Sequence, residues 1–337
     1  MSKLKFNICI IDEPNDFSLS SINNYLHQNN FCDLTISDAK SIEKLKKSYN
    51  KKIITKNLSN IESPLEKKIT LLENNFDKLN IFLRSNDLII SSAKHEQLNY
   101  DGSVNVMPNY IITNDNGVDK ILNFQISNES SQARIIEIID KFGSFYFNVI
   151  PVFLDGNTLK DIMNYLKFHP FAHTSVSDYA VLIASLSSLP LIRDKSSTYI
   201  FGDTKSFDNF DAKKNSKIDE ISFLDNQIIL KNFFLLLALD SFILILRKSS
   251  PLQIDEKVKT SKSVLFTFIK MHLNYVMHNV NLFQQLEKEL ILEFETLNDI
   301  KSIISLVLDI ISISETSFTE RYNQFITQCI DLKLEDL

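Results

Sequence analysis

Glycine and tryptophan are the first absences. The 337-residue chain has 5 Gly and no Trp, too few glycines for a glycine-rich phosphate loop or a dinucleotide fingerprint. The glycines, at 102, 117, 143, 156 and 202, stand apart, and there is no G-x-S-x-G nucleophile elbow. Cysteine is scarce too. Cys9, Cys32 and Cys329 are odd in number and far apart, which is neither a disulfide framework nor a zinc pattern and suits a reducing compartment. The start, MSKLKFNICIIDEPND, lacks the apolar length and small-residue cleavage site of a secretory signal, so the cytoplasm is the expected location.

A basic excess is also missing. Lys and Arg total 36 against 42 Asp and Glu, a net charge of −6, which disfavours nucleic acid as a partner of the whole chain. The one local exception is 40–56, KSIEKLKKSYNKKIITK. It reads as a solvated helix face running into a strand, with a phosphate or acidic-partner site as the alternative.

What is present is an ordinary globular composition, 44% hydrophobic and 23% charged, long enough for about two domains at roughly 150 residues each. One segment, 228–246 (IILKNFFLLLALDSFILIL), is nearly long enough to span a bilayer. Lys231, Asn232, Asp240 and Ser241 interrupt it, and a carboxylate near mid-membrane costs a few kcal/mol. A helix buried on almost all sides explains the same letters without that cost. The membrane is therefore not expected as a partner.

Alternating short apolar runs and helical periods predict an α/β N-terminal and central part with a mostly parallel sheet. Strands are expected at 6–11, 32–36, 52–55, 79–83, 104–107, 121–126, 145–154 and 198–202, with 89–95 as a further candidate. Helices are expected at 18–28, 41–49, 65–76, 133–141, 159–168 and 178–189. The polar stretch 109–119 marks a boundary or hairpin. From about 218 the pattern is helical throughout, with long periods at 264–297, 300–313 and 320–332. Phe266, Ile269, Leu273, Met277 and Val280 recur there at three- and four-residue steps as a broad apolar face. The expected domains are 1–115, 116–217 and an all-α domain at 218–337.

The first strand, ICIIDE, ends in Asp12 and Glu13, and strand carboxyl ends are where doubly wound sheets bind ligands. Strand, acidic pair, helix and strand in this order resemble the receiver domain of bacterial response regulators, over about residues 4–110. The resemblance implies a flavodoxin-like sheet with a magnesium-binding acidic pair after the first strand. It also implies a phosphate-accepting Asp after the third strand, a Ser or Thr after the fourth and Lys-Pro after the fifth. At those places stand Lys56, Ser85, and Met107 with Pro108. Without the carboxylate nucleophile no aspartyl phosphate can form, and an ammonium beside Asp12 and Glu13 would compete with a divalent cation. The resemblance thus implies a pseudo-receiver, read by protein contacts alone.

Other chemistry is sparse. His169 and His173 (HPFAH) sit four apart, but Pro170 follows the first and no third ligand is near until Asp178. His272 and His278, six apart, fall on different faces of one predicted helix. FLDGN and FGDT place Asp155 and Asp203 at strand ends, where Asp-Gly and Gly-Asp steps are commonly turns.

These readings lead to an expectation of a non-catalytic regulatory or adaptor protein, with no cofactor and no metal. Its partners would be proteins, including a second copy docked through the C-terminal helices. Two alternatives stay open: a structural subunit of a larger cytoplasmic assembly, and an enzyme with a dispersed site near Asp155, His169, His173 and Asp203.

Overall fold

The structure, a computed structural model of the chain, describes residues 2–10, 16–29, 32–36, 53–58, 61, 64–83, 87–91, 99–100, 102–114, 117–122, 126–142, 152–169, 175–201, 231–294, 296–314 and 317–334. The chain divides into two compact units. One is Met1–Ile126 with Val149–Lys160 and Leu189–Asp208; the other is Ser127–Asn148 with Asp161–Ser188 and Asn209–Leu337. Residues 116–217, read from the sequence as one α/β region, are shared between these units.

The first unit is α/β. Its elements are β1 (Ser2–Lys3), β2 (Phe6–Ile10), α1 (Asp16–Gln28), β3 (Cys32–Ile36), β4 (Ile53–Thr55), α2 (Pro64–Leu72), β5 (Leu79–Leu83), β6 (Leu88–Ser91), β7 (Asn99–Tyr100), β8 (Asn105–Asn114) and β9 (Gly117–Leu122). After α3 (Ser131–Phe142) the chain returns for β10 (Leu154–Asp155) and the start of α4 (Gly156–Leu166). It leaves for α5 (Ser175–Ser188) and returns once more for β11 (Leu191–Phe201). The expected helix at 41–49 lies outside the described residues.

The main sheet runs β10-β5-β2-β3-β4, with β5, β2, β3 and β4 mutually parallel and β10 antiparallel to β5. All five residues of β2 are buried, as a central strand covered on both faces must be. Counted from β2, the parallel strands lie in the order third, second, first, fourth. This corrects one expectation: a flavodoxin-like receiver order is 2-1-3-4-5, with the third strand beside the first. Here β4 pairs with β3, Leu34 opposite Ile53, and lies outside it. Spacing along the chain cannot tell these arrangements apart, because either side of the sheet is one crossover away.

Polar residues inside these strands form a closed network. Thr35 Oγ1 donates to Asn7 Oδ1 at 3.0 Å, and Asn7 Nδ2 donates to Asn80 Oδ1 at 2.8 Å. Asn75 Nδ2 reaches Thr35 Oγ1 at 3.0 Å, and Asn80 Nδ2 donates to the carbonyls of Asn75 and Lys78. Each buried amide thus avoids the cost of an unmade bond. Cys9, beside Asn7, is buried and its thiol pKa is pushed up by desolvation, so it is an inert core sulfur.

A second sheet in this unit runs β6-β11-β8-β9, with β11 parallel to β8 and the other pairs antiparallel. An antiparallel bridge between Val106 and Phe153 ties β8 to the segment leading into β10.

The second unit is helical. Besides α3 and α5 it contains α6 (Phe233–Leu246), α7 (Ile254–His278), a 3-10 turn (Val280–Leu282), α8 (Gln285–Glu293), α9 (Ile300–Ser314) and α10 (Ser317–Cys329). Every residue of α6 is buried, so the apolar segment is the centre of this unit, packed on α5 and α7. No helix among the described residues is long and apolar enough to cross a membrane. Two buried arginines close helix C-termini. Arg134 donates to the carbonyls of Leu186 and Ser187 at 2.8 and 3.0 Å. Arg247 donates to Leu244 O at 2.9 Å and to Asp161 Oδ2 at 2.7 Å. Both place a cation at the negative end of a helix.

The apolar face expected along 264–297 needs two corrections. The helix breaks at Asn279, where its side chain and backbone N–H bond back to the carbonyls of Tyr275 and Val276. Also, Phe266, Met277 and Val280 are exposed. The core side of α7 is instead Val264, Leu265, Phe268, Ile269, His272, Tyr275 and Val276.

Candidate functional site

The strand order reverses between β2 and β5, which pair in register from Phe6 opposite Leu79 to Ile10 opposite Leu83. In open α/β sheets the crevice beyond the carboxyl ends at such a switch point is the ligand site. Asp12 and Glu13, which follow β2, and Ser85, which follows β5, lie outside the described residues. The described groups nearest these ends in sequence are Asp16 and Asp87. Asp16 is exposed in the first turn of α1, where a negative side chain favours the helix but opposes a bound anion.

Asp87 follows Leu83 by four residues and is fully buried. It accepts a hydrogen bond from the Tyr199 hydroxyl. Nearby, Tyr25 on α1 and Ser197 on β11 share a hydrogen bond of 2.8 Å. Ser21 of α1 donates to Ile89 O of β6 and accepts from its N–H at 3.0 Å. Burial first, then the neighbouring Cys32 and Asp194, push the Tyr25 phenol well above its ordinary pKa, so it works only as a neutral hydroxyl. The arrangement fixes α1, β6 and β11 together and buries a carboxylate and two phenols between them.

Pro108 explains how β11 reaches Tyr25. Met107 pairs with Arg193, but Asn109 pairs with Thr198, so residues 194–197 form an excursion opposite the proline. Proline has no N–H to give a ladder, and such a gap suits a bulge. Arg193 and the carbonyl of Lys195 lock onto the Asn109 side chain at 2.6 and 3.0 Å. Asp194 Oδ1 accepts from the Ser196 N–H at 2.9 Å, and Ser197 is delivered inward. Met107 and Pro108 therefore shape β8 of the second sheet. They do not sit on a fifth strand of the main one.

Lys56 follows the third parallel strand, as expected, and is engaged there. Its backbone N–H bonds Ile36 O at 3.1 Å, and its Nζ pairs with Glu73 Oε2 at 2.8 Å. Since β3 separates β4 from β2, Lys56 follows a strand about 10 Å from β2 at the usual strand spacing. Its ion pair is a half-exposed surface pair, and such pairs contribute little.

The dispersed-site residues take separate structural roles. Asp155 Oδ1 accepts from the Thr158 N–H at 2.8 Å and its hydroxyl at 2.9 Å, an N-cap for α4. A Cβ on the next residue, Gly156, would lie 2.7 Å from Phe76 O, so the Asp-Gly pair is a helix start pressed against backbone. His173 and Asp203 lie outside the described residues.

His169 belongs to a buried group in the helical unit. Its Nε2 lies 2.8 Å from Asp240 Oδ1, with both side chains at 0% exposure, and the Tyr322 hydroxyl donates to the same oxygen at 3.0 Å. Burial, then Asp240, raise the Tyr322 pKa well above its ordinary value, which keeps the donor proton in place. The His169 ring packs edge-on against Tyr322 and Phe325 at 5.7 and 4.9 Å. This group explains the carboxylate inside α6: the Tyr322 hydroxyl bonds it and His169 lies against it, so the polar interruption is not orphaned.

Among the described residues no three His, Cys, Asp or Glu side chains form a group that could hold a metal ion. Sequence reasoning missed Tyr25, Asp87, Ser197 and Tyr199. The proline inside the apolar run VNVMPNYII was the one available signal that its neighbour would bulge. A scan against protein-family models finds no match, and no curated protein matches the chain.

Proposed function

We propose that this chain is a regulatory binding protein whose α/β unit takes a mononucleotide-class ligand at the crevice beyond β2 and β5. The observation that carries this reading is the β4-β3-β2-β5 order, which matches the three strands of one nucleotide-binding half of a doubly wound sheet followed by the strand across the switch point. One half suits a mononucleotide. The dinucleotide mode is opposed by the sequence between β2 and α1, Ile11-Asp12-Glu13-Pro14-Asn15, which has no glycine. Asp16 at the helix start weighs against any bare phosphate there, so the nucleotide would bind with magnesium. What supports the regulatory part is that Asp155 and His169, the two described residues of the dispersed-site alternative, are engaged in structural contacts.

The test is calorimetric titration of the full chain with nucleoside mono- and diphosphates, with and without magnesium. Saturable binding at one site per chain, with ligand recovered intact, supports the reading. No heat and no thermal shift with any nucleotide overturns it, and steady breakdown of the ligand overturns its non-catalytic part. Light scattering on the same sample separates a discrete monomer or dimer, as expected, from the polymer that an assembly subunit would form.

A further inference from the structure

We propose that the exposed face of α7, with the turn after it, is a docking surface for an anionic lipid bilayer. Lys259, Lys262, Phe266, Lys270 and Met277 fall within roughly 80° of arc at 3.6 residues per turn. On this stripe Phe266 is 39% exposed and Met277 64%, although both have the character of core residues. The exposed apolar run continues past the helix end in Val280, Leu282 and Leu286, at 47%, 53% and 54%. From Lys257 to His278 the sequence has four lysines and no Asp or Glu. In a chain of net charge −6, this is a local cationic face.

The carboxylates near it are engaged. Asp299 borders a hollow of about 420 Å³ that Lys262, Phe266 and Lys301 also line, but its Oδ1 accepts the Ser302 N–H at 2.8 Å as the cap of α9. Glu289 accepts from Gln285 Nε2 at 2.9 Å. Glu287 is buried and paired with Lys231. The ionised Asp299 carboxylate offsets Lys301 within the hollow, so the cationic part of the surface is Lys259, Lys262 and Lys270, set beside apolar side chains that can enter the acyl boundary.

The composition favours lipid over protein. Protein interfaces are anchored by Trp, Tyr and Arg and are depleted of Lys; Phe266 and Met277 suit either partner, and the lysines and exposed leucines of this surface favour lipid. Lysines snorkel, keeping the ammonium at the headgroups while the stem lies on apolar surface, and basic amphipathic faces bind anionic leaflets. The sequence argument against a membrane concerned a spanning segment at 228–246; this surface is a different part of the chain and lies on a bilayer without crossing it.

The experiment is co-sedimentation of the full chain with vesicles of phosphatidylcholine alone and of phosphatidylcholine with phosphatidylglycerol. Binding should require the anionic lipid and fall with added salt. The double variant Lys259→Glu/Lys270→Glu should weaken it about tenfold or more, and Leu282→Ser/Leu286→Ser should do likewise. Both variants replace exposed side chains, so circular dichroism and the thermal midpoint should match the parent and exclude misfolding. Inorganic phosphate should displace no more protein from vesicles than sodium chloride at the same ionic strength; greater displacement would mean a soluble anion site and overturn the bilayer reading. The proposal also fails if neither vesicle binds, if both variants bind like the parent, or if the leucine variant instead abolishes a dimer seen by light scattering.

Discussion

The two units bury polar side chains by different means. Across β3, β2 and β5 the buried groups are neutral: Asn7, Thr35, Asn75 and Asn80 satisfy one another and the nearby carbonyls. In the helical unit they carry or can take charge: Asp240 with His169 and Tyr322, Arg247 with Asp161, Lys231 with Glu287, and His272. A parallel strand presents side chains to neighbours on both sides at fixed register, so short amides can chain across it. A buried helix has met its own backbone bonds, and its polar side chains need long or charged partners from other helices. Acid sensitivity should therefore reside in the helical unit and, in the α/β unit, at the buried Asp87 and Asp194 outside this network.

The largest expected effect tests that directly. His272 is fully buried against Tyr275 and Phe283, with no hydrogen-bond partner on either ring nitrogen, and burial pulls its pKa down to about 3. The unfolded chain takes up that proton near pH 6.5 and the folded chain does not, so stability is complete above 6.5 and is lost as pH falls toward 3. The full loss is on the order of 5 kcal/mol. Urea denaturation followed by circular dichroism between pH 7 and 4 should show it, and His272→Phe should flatten that limb.

Next in size is Asp240→Leu, which leaves His169 and Tyr322 buried without their acceptor. It should cost about 3 kcal/mol or more at neutral pH, measured by the same denaturation. If this variant is as stable as the parent, the buried group is not needed to hold α6. In the α/β unit, Asn80→Leu removes one amide from the network and should cost about 2 kcal/mol with no change in pH dependence. A pH-dependent loss there would break the contrast between the units. The smallest effect is Asp155→Ala, which removes the cap of α4 and should cost about 1 kcal/mol as a lowered thermal midpoint.

Much of the fold was legible. The alternation of apolar runs and helical periods gave β2, β3, β4 and β5 within a residue or two, and the broken apolar segment at 228–246 was read as a buried helix, as α6 is. Lateral order was not legible. The interval from Asp12 to Lys56 is the same whether the third strand lands beside the first or beyond the second, and only the pairing of Leu34 with Ile53 decides. Exposure along α7 was hidden for a related reason. Phe266 and Met277 share its periodicity with Ile269, and periodicity marks a face without saying what covers it. Tyr199 and Asp87, which share a buried hydrogen bond, stand 112 residues apart, so no local pattern could join them.

The Val106–Phe153 bridge and the β8–β11 ladder have a consequence for how this protein is made. Leu191 pairs with Asn105, so β8 waits 191 − 105 = 86 residues for its neighbour to be synthesised. At ribosomal speeds of about 5–20 residues per second that is roughly 4 to 17 seconds with an open strand edge, while helices α3 to α5 emerge in between. Each unit is assembled from three separate stretches of chain, so neither can be cut out as one continuous piece. The nascent α/β unit is therefore an obvious client for a chaperone that shields strand edges.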